Sequence, residues 1–207
     1  GMTTMDRETL QKSLEQRGFV VHYFATRQEA ADYVVALCQG KTVGFGGSVT
    51  LQELGVYDRL TEVATPYSHW AQTDPDERQA TLDRAARAQV FLTSVNAIAE
   101  TGELINIDGT GNRVASTLYG HEVVCFVAGV NKVAPTFDEA LWRARNVAAP
   151  LNARRLGRKT PCAVGEELRC FDCKSPERIC NGLTVHWRRM GGVGRTEVVL
   201  VGEELGY

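Results

Sequence analysis

The sequence lacks several features that would place it in a familiar class of protein. Its 207 residues carry 23 basic and 25 acidic side chains, so we expect no broad basic surface for nucleic acid. No apolar run approaches the roughly 18–20 residues that span a bilayer, and the polar N-terminal segment has no signal-peptide hydrophobic region. We therefore expect a cytoplasmic protein with no membrane or nucleic-acid partner. Gly1, which precedes Met2, is interpreted as the remnant of an expression tag.

The glycine-rich stretch GFGGSVT, residues 44–50, lacks the common signatures of nucleotide binding. It contains neither the GK[ST] of a P-loop nor a GxGxxG pattern, so NTP hydrolysis is not expected. A strand, glycines, a hydroxyl residue and a helix start follow one another here, which is typical of an anion-binding turn. The candidate ligand-binding residues are Gly46, Gly47, Ser48 and Thr50. Phosphate, carboxylate and coenzyme A-type ligands all suit such a turn, and a purely structural strand-to-helix turn is the alternative.

Cysteine is distributed unevenly along the chain. Cys38 and Cys125 lie alone in apolar segments and are expected to be small buried residues. The remaining cysteines are clustered: Cys162, Cys170, Cys173 and Cys180. In a cytosolic chain this indicates metal or redox chemistry rather than structural disulfides. The central CxxC and the two outer cysteines predict a four-thiolate site for zinc or an iron–sulfur cluster. Two disulfides or free thiols are the alternatives.

Helices and strands are predicted to alternate along most of the chain. Apolar periodicity predicts helices at residues 5–17, 27–39, 48–54, 74–88 and 136–148, and strands at 19–25, 41–45, 61–65, 90–94, 121–130, 183–190 and 196–205. The glycine-rich gap between the last two strands allows a hairpin. The alternation predicts an α/β fold with a mostly parallel sheet, whose sites tend to lie beyond the carboxyl ends of the strands.

A second polar stretch punctuated by glycine runs through residues 93–120, directly after a buried strand. Glu100 is the first candidate for a general base or nucleophile. Asp108 is the second candidate, and an Asx-turn beside Gly109 is its structural alternative. Further candidate ligand-binding residues in this stretch are Asn96, Gly102, Asn112 and Arg113. Arg113 is suited to pairing with an anionic group.

Two more clusters follow predicted elements. Asn131 and Lys132 come after the buried strand at 121–130, so Asn131 is a candidate ligand-binding residue and Lys132 a candidate catalytic residue in the same cleft. Asn152, Arg154 and Arg155 follow the last predicted helix. They are candidates either for an anionic ligand or for neutralising the thiolates that come next.

Four segments of the chain resemble the LUD-domain family, also described as lactate-utilisation proteins or as a domain of unknown function, DUF162. The segments are VGFGGSVTLQELG, TSVNAIAETGELINIDGTGNRVASTLYG, GVNKVAPTFDEALWRARNVAAPLNARRL and TPC…CFDCKSPERICN. The resemblance covers about residues 5–190 and is strongest with a short, stand-alone branch that has a cysteine-rich tail.

The resemblance implies a Rossmann-like three-layer α/β/α sandwich, similar to the NagB/RpiA/CoA-transferase group. In that group a glycine–serine loop binds phosphate or coenzyme A, which implies this role for residues 46–50. A carboxylate on a later strand-loop performs the chemistry, a role that falls here to Glu100 first and Asp108 second. Residues 5–150 and 183–207 are then the LUD-type domain. Residues 151–182 form a cysteine-rich metal-binding appendage packed on it.

Family members in lactate-utilisation operons are implicated in oxidising L-lactate to pyruvate alongside iron–sulfur partner proteins. The resemblance therefore implies binding of a small anionic metabolite and a four-cysteine metal site that supports lactate-type redox metabolism. Ferredoxin-like modules are not found in the sequence, so complete lactate oxidation by this chain alone is not expected. Two alternatives stay open. One is an isomerase or CoA-transferase-like enzyme that uses Glu100, and the other is a non-enzymatic binding module that is stabilised by zinc. Formation of a homo-oligomer also stays open.

Overall fold

The computed structural model describes residues 2–207, and Gly1, interpreted above as a tag remnant, lies outside them. The described strands are β1 (Val20–Phe24), β2 (Thr42–Phe45), β3 (Thr65–Tyr67), β4 (Val90–Thr93), β5 (Ala97–Ala99), β6 (Leu104–Asp108), β7 (Val123–Gly129), β8 (Val133–Ala134), β9 (Gly182–His186) and β10 (Arg195–Val201). The α-helices are α1 (Thr4–Gln16), α2 (Arg27–Cys38), α3 (Val49–Leu54), α4 (Val56–Val63), α5 (Pro75–Ala85), α6 (Asn112–Leu118), α7 (Phe137–Arg143), α8 (Ala149–Arg155) and α9 (Pro161–Val164). A π-helical turn, Ala144–Ala148, joins α7 to α8.

Six strands form a central sheet in the order β1-β10-β7-β4-β2-β3, and every neighbouring pair in it is parallel. The inner strands are apolar along their whole length, because both faces of a parallel sheet are covered. All seven residues of β7 are buried, for example. The expected α/β fold with a mostly parallel sheet is confirmed.

The central sheet lies between two apolar layers. On one face, Ala30 and Val34 of α2 and Leu60 of α4 belong to a cluster with Val43 and Val127 of the sheet. Cys38 and Cys125 belong to the same cluster and are fully buried, as expected for small apolar residues. The layers confirm the three-layer α/β/α architecture.

The opposite face is covered by α1 and by a second, smaller sheet. Leu10 and Leu14 of α1 pack with Phe126 of β7 and with Ile98 and Leu104 of the smaller sheet. That sheet has the order β8-β5-β6-β9, with antiparallel β5–β6 and β6–β9 pairs and a parallel β5–β8 pair. Residues 97–108 cross the face of the central sheet as part of this smaller sheet. The smaller sheet therefore determines which side chains of the polar stretch lie at the carboxyl end of the central sheet.

Two local predictions are wrong. Residues 183–190 and 196–205 do not form a hairpin, because β9 pairs with β6 in the smaller sheet while β10 lies between β1 and β7. The almost continuous burial of β10 suits a central parallel strand, whereas the first residues of β9 are exposed. The strand predicted at residues 61–65 is largely the end of α4, whose buried Val56 and Leu60 follow the helical period.

The cysteine-rich segment has little regular structure. Between the end of α8 and the start of β9 it contains one short helix, α9, which packs against α8. None of the helices formed by residues 2–207 has both the length and the apolar character that crossing a membrane requires.

Two histidines are buried in the core. His121 is 3% exposed, with its Nδ1 2.6 Å from the Ala88 carbonyl oxygen, and His186 is 1% exposed, with its Nε2 3.3 Å from the Thr117 carbonyl oxygen. Burial lowers the pKa of both imidazoles. Both rings are therefore neutral in the folded protein near pH 7.

We expect the free energy of unfolding to fall as the pH is lowered from 7 to 5. These histidines bind protons at a higher pH in the unfolded chain than in the folded chain. Each histidine therefore lowers the free energy of unfolding by at most about 1.4 kcal/mol for each unit by which the pH falls. Urea denaturation at pH 7, 6 and 5 measures the slope, and the His186→Gln variant should show a smaller one. Equal stability at pH 7 and pH 5 would contradict this assignment.

Candidate functional site

A cavity of about 340 Å³ opens at the carboxyl ends of β2, β4 and β7. This is the edge at which parallel α/β sheets usually place their sites. Its inner wall consists of loops that leave the two sheets, and its outer wall consists of α8 and part of the cysteine-rich segment. The two glycine-punctuated stretches of the sequence therefore meet in one place.

Glycines 46 and 47 allow close contacts at the inner wall. A Cβ on Gly46 would lie 2.7 Å from Cγ of Arg113, and a Cβ on Gly47 would lie 2.5 Å from Nε1 of Trp70. Neither contact could be accommodated without displacing a packed side chain. Gly47 lines the cavity, whereas Gly46 lies behind Arg113 and supports its position.

Ser48 and Thr50 complete this part of the inner wall. The Ser48 hydroxyl accepts a hydrogen bond of 3.3 Å from the Leu51 N–H and so caps α3. Thr50 is buried and its hydroxyl donates to the Leu205 carbonyl oxygen at 3.5 Å. Both predicted loop residues therefore face the cavity while also fixing the local backbone.

Arg113 occupies the floor of the cavity and is held there by uncharged acceptors. Its guanidinium donates to the carbonyl oxygens of Ser94 (3.1 Å) and Ile107 (2.9 Å) and to the amide oxygens of Asn106 (2.6 Å) and Asn96 (3.3 Å). Burial lowers the pKa of Arg113, and the Asp108 carboxylate opposes that shift. The hydrogen bonds fix the position of the positive charge without neutralising it.

Lys132 supplies a second cation at the inner wall. The residue is only 4% exposed, yet it lines the cavity. Burial, with help from the nearby charges of Arg143 and Arg113, lowers the pKa of Lys132 to about 7, against a smaller opposing effect of Glu53. Among residues 2–207, neither Lys132 nor Arg113 forms an ion pair with a carboxylate.

Polar atoms without partners surround these cations. Thr93 Oγ1, Ser94 Oγ and Asn106 Nδ2 are buried and have no hydrogen-bond partner among the described residues. Ser94 lines the cavity directly, and Asn106 is an acceptor for Arg113. Buried polar groups are rarely left unpaired, so each such group calls for an explanation. A ligand in the cavity would give the Ser94 hydroxyl a partner.

Asp108 is the one acidic residue among the described residues that line the cavity. Its carboxylate accepts hydrogen bonds of 3.2 Å from the N–H groups of Gly109 and Val114, so it holds the turn into α6. The carboxylate therefore has a structural role at this turn, although its bonds run to Gly109 and Val114 and not to the Thr110 N–H that an Asx-turn would use. Asp108 also lies at the cavity as the sequence predicted, although its two oxygens are engaged with the backbone.

The outer wall is basic. Arg155, Arg158 and Arg178 line it together with Trp70 and Asn152. The Arg155 guanidinium lies 4.8 Å from the ring centroid of Trp70, and its Nε donates to Asn152 Oδ1 at 2.9 Å. Asn152 and Arg155 thus reach the cavity as candidates for an anionic ligand.

Arg154 faces away from the cavity. It donates to the carbonyl oxygens of Cys162 (3.1 Å) and Gly165 (3.1 Å), so it orders the cysteine-rich segment rather than binding a ligand. Trp70 and Arg178 were not predicted as cavity residues. Trp70 lies in a short 3-10 turn and Arg178 in the irregular cysteine-rich segment, so neither belongs to an element long enough for apolar periodicity to indicate its direction.

Glu100 and Gly102 are not brought to the cavity. β5 begins after Asn96 and extends away from the cavity. Glu100 lies four residues beyond Asn96, and at roughly 3.3 Å per residue the two are separated by about 13 Å along the chain. Gly102 adopts φ +100° in the turn between β5 and β6, where a Cβ would lie 2.8 Å from the Arg17 side chain. The sequence analysis recognised no β5–β6 pair, and this pair carries both residues to the far end of the smaller sheet.

Asn112 and Asn131 also lie elsewhere. Asn112 lines a separate groove with Leu82 and Tyr119. The Asn131 amide accepts from the Leu205 N–H at 3.0 Å and donates to the Leu205 carbonyl at 3.2 Å, so it fixes the last residues of the chain. Asn96, by contrast, lines the cavity and is an acceptor for Arg113.

The four clustered cysteines line one small cavity of about 20 Å³ beside the larger one: Cys162, Cys170, Cys173 and Cys180. All four are free thiols, and no disulfide joins them. The Asp172 N–H donates to Cys170 Sγ at 3.2 Å, and Asp172 adopts a left-handed φ of 46° within the CxxC turn. Among residues 2–207, however, no three His, Cys, Asp or Glu side chains are gathered closely enough to hold a metal ion.

Arg178 connects the two cavities. Its guanidinium donates to the carbonyl oxygens of Cys173 (2.6 Å) and Cys180 (3.1 Å), and it lines both cavities. Ala149 and Ile179 also line both cavities. The order of the cysteine-rich segment therefore determines the position of one cation in the larger cavity.

Comparison with known proteins agrees with this architecture. The family model described as the LUD domain matches residues 7–201. A solved structure, described as a DUF162 family protein from Deinococcus radiodurans, superposes with a TM-score of 0.54 at 15% identity, over 97% of this chain and 99% of that one. At this identity the likeness concerns the fold alone. No curated protein matches the chain significantly.

We expect the affinity of the larger cavity for L-lactate to fall as the pH rises from 6 to 8.5. With its pKa near 7, Lys132 is mostly charged at pH 6 and mostly neutral at pH 8.5. A bound anion favours the charged form, so the loss should be on the order of tenfold. Isothermal titration calorimetry at constant ionic strength measures this, and the Lys132→Met variant should show a flat profile. Parallel profiles for the two proteins would refute the role of Lys132.

Proposed function

The chain belongs to the LUD-domain family, and from this premise we propose that it binds a small organic anion of the lactate type and serves organic-acid utilisation. The observation that carries the proposal is the pair of cations at the cavity floor. Arg113 and Lys132 face the same cavity, and no carboxylate of residues 2–207 pairs with either. An anion bound beside these cations offsets the cost of holding positive charge in a partly desolvated site.

The residues around the cations suit a 2-hydroxy or 2-oxo acid. The Lys132 ammonium offers charge-assisted hydrogen bonds to a carboxylate, and Arg113, whose four Nη hydrogens already bind protein acceptors, adds a fixed positive charge to the same cavity. The Ser94 hydroxyl, which lacks a partner, offers a hydrogen bond to the neighbouring hydroxyl or keto oxygen. A volume of about 340 Å³ lies at the lower end of the roughly 300–1,000 Å³ range of small-molecule sites.

The four thiols around the small cavity are donors of a type that suits a metal centre. Four reduced thiols line one small cavity, and the N–H bond to Cys170 is the kind of contact that stabilises a thiolate ligand. The cysteines would hold either structural zinc or an iron–sulfur cluster once the thiols move closer together. When bound, zinc supplies structural stability and an iron–sulfur cluster supplies electron transfer.

The CoA-transferase-like and isomerase-like alternatives gain no support from the cavity. Glu100 lies at the far end of the smaller sheet, and the Asp108 oxygens are engaged with backbone N–H groups. Glu100, the first candidate for the nucleophile or base of these activities, is therefore away from the cavity, and Asp108 lies at it with a structural role. The non-enzymatic alternative, a module stabilised by zinc, needs no bound metabolite, so the measurement of lactate binding separates it from our proposal.

We expect L-lactate to bind and L-lactamide, its neutral counterpart, not to bind. The Arg113→Lys variant keeps a charge but loses the hydrogen bonds that fix this charge at the cavity, so it should weaken lactate binding by about tenfold or more. The Lys12→Gln variant, which removes an exposed cation on α1, is the matched control and should bind as the unmodified protein does. Calorimetry measures the affinities, and circular dichroism confirms that the variants are folded. Equal binding of lactate and lactamide would contradict the proposal.

We expect the double variant Cys170→Ser, Cys173→Ser to lose bound metal and to make residues 160–182 more sensitive to protease. Removing two thiols leaves too few ligands for either zinc or an iron–sulfur cluster. Metal and acid-labile sulfide are measured on protein purified without oxygen, and Cys38→Ala, a cysteine substitution in the core, serves as the control. Unchanged metal content in the double variant would exclude the four-cysteine site.

A further inference from the structure

We propose that the preferred ligand of the larger cavity is a small acid with two anionic groups. One group would bind the inner pair, Arg113 and Lys132, and the other would bind the outer arginines, Arg155, Arg158 and Arg178. This inference rests on the proposed anion binding and specifies its substrate class. The chemical class is a 2-hydroxy or 2-oxo acid that carries a second carboxylate or a phosphate.

The two groups of cations come from different parts of the cavity lining. Lys132 follows β7 and is 4% exposed, and Arg113 begins α6 on the same inner wall. Arg155 and Arg158 lie at the end of α8 and just beyond it, at the exposed outer wall. A single carboxylate held at the inner wall therefore leaves the outer group unpaired.

The outer arginines are positioned by contacts that do not neutralise them. Arg155 is held by the Trp70 ring and the neutral Asn152 amide. Arg178 donates to two carbonyl oxygens of the cysteine-rich segment, and its ion pair with the exposed Asp172 is long, at 3.9 Å. Arg158 forms no ion pair among residues 2–207.

The charge count favours a dianion. Five cationic side chains line the cavity against one acidic side chain, Asp108, whose oxygens already accept backbone hydrogen bonds. Like charges that converge on one cleft repel one another and raise the local concentration of anions. A second anionic group on the ligand would bind the outer arginines at little further entropic cost, because the first group already holds the ligand in place.

A matched series of ligands tests the inference at pH 7 and 150 mM NaCl. L-Malate is L-lactate with a carboxylate on its methyl carbon, and the L enantiomer of 3-phosphoglycerate, used here to match the configuration at C2, carries a phosphate there instead. We expect L-malate or 3-phosphoglycerate to bind at least tenfold more tightly than L-lactate by calorimetry. The better of the two identifies the second anionic group.

Substitutions of the outer arginines then test whether these side chains bind the second anionic group of the ligand. The double variant Arg155→Gln, Arg158→Gln should reduce the affinity for the preferred dianion far more than the affinity for L-lactate. Arg84→Gln, Arg87→Gln, which removes the same charge from exposed positions in and just after α5, should leave the preference intact. The ligand series on the unmodified protein decides the question even if a variant does not fold.

The outcomes separate this inference from the proposed function. If none of the three acids binds, the proposed anion binding itself fails. If all three bind with equal affinity, only the dianion inference is overturned. A preference that survives in Arg155→Gln, Arg158→Gln, or that is lost equally in the α5 control, would also overturn it, since the outer arginines would then not be the binding groups.

Discussion

The organisation of the site depends on the hydrogen bonds of one guanidinium. Arg113 reaches from the first turn of α6 to acceptors after β4 and on β6, and these acceptors are all uncharged. The interaction ties the central sheet to the smaller one and leaves a positive charge at the floor of the cavity. Gly46 makes room for the Arg113 side chain. A charge fixed in this way, with Lys132 on the same wall, is an electrostatic cost to the folded protein that an anionic ligand offsets.

The rest of the fold brings further charges to that point. Parallel strands end at a common edge, so the loops after β2, β4 and β7 converge without any contact between them in sequence. The helical stretch from α7 through the π-turn to α8 returns the chain to the same edge. The cysteine-rich segment then covers the cavity from outside and shares Arg178 with it. The larger cavity and the cysteine-rich segment are therefore physically connected through one side chain.

The sequence was most informative where its patterns are local. The parallel sheet, the burial of Cys38 and Cys125, and the loop from Gly47 to Thr50 follow from apolar runs and glycine spacing. Strand partners are not local, so the pairing of β9 with β6 was missed. The same limit explains Glu100: its place beyond a buried strand was recognised, but the short β5–β6 pair that carries it away from the cavity was not. Trp70 and Arg178 reach the site from loops, where no period indicates a direction.

The most direct test of the account is the titration of Lys132 itself. Lysine side chains labelled with ¹³C at Cε report their protonation by NMR, and the Lys132→Met variant assigns the signal. The account predicts a pKa near 7 for Lys132 in the protein without ligand, and a higher value once L-lactate or L-malate is added. An ordinary lysine pKa of about 10.4 that neither acid changes would contradict it, because Lys132 would then be neither buried at the cavity nor coupled to an anion there.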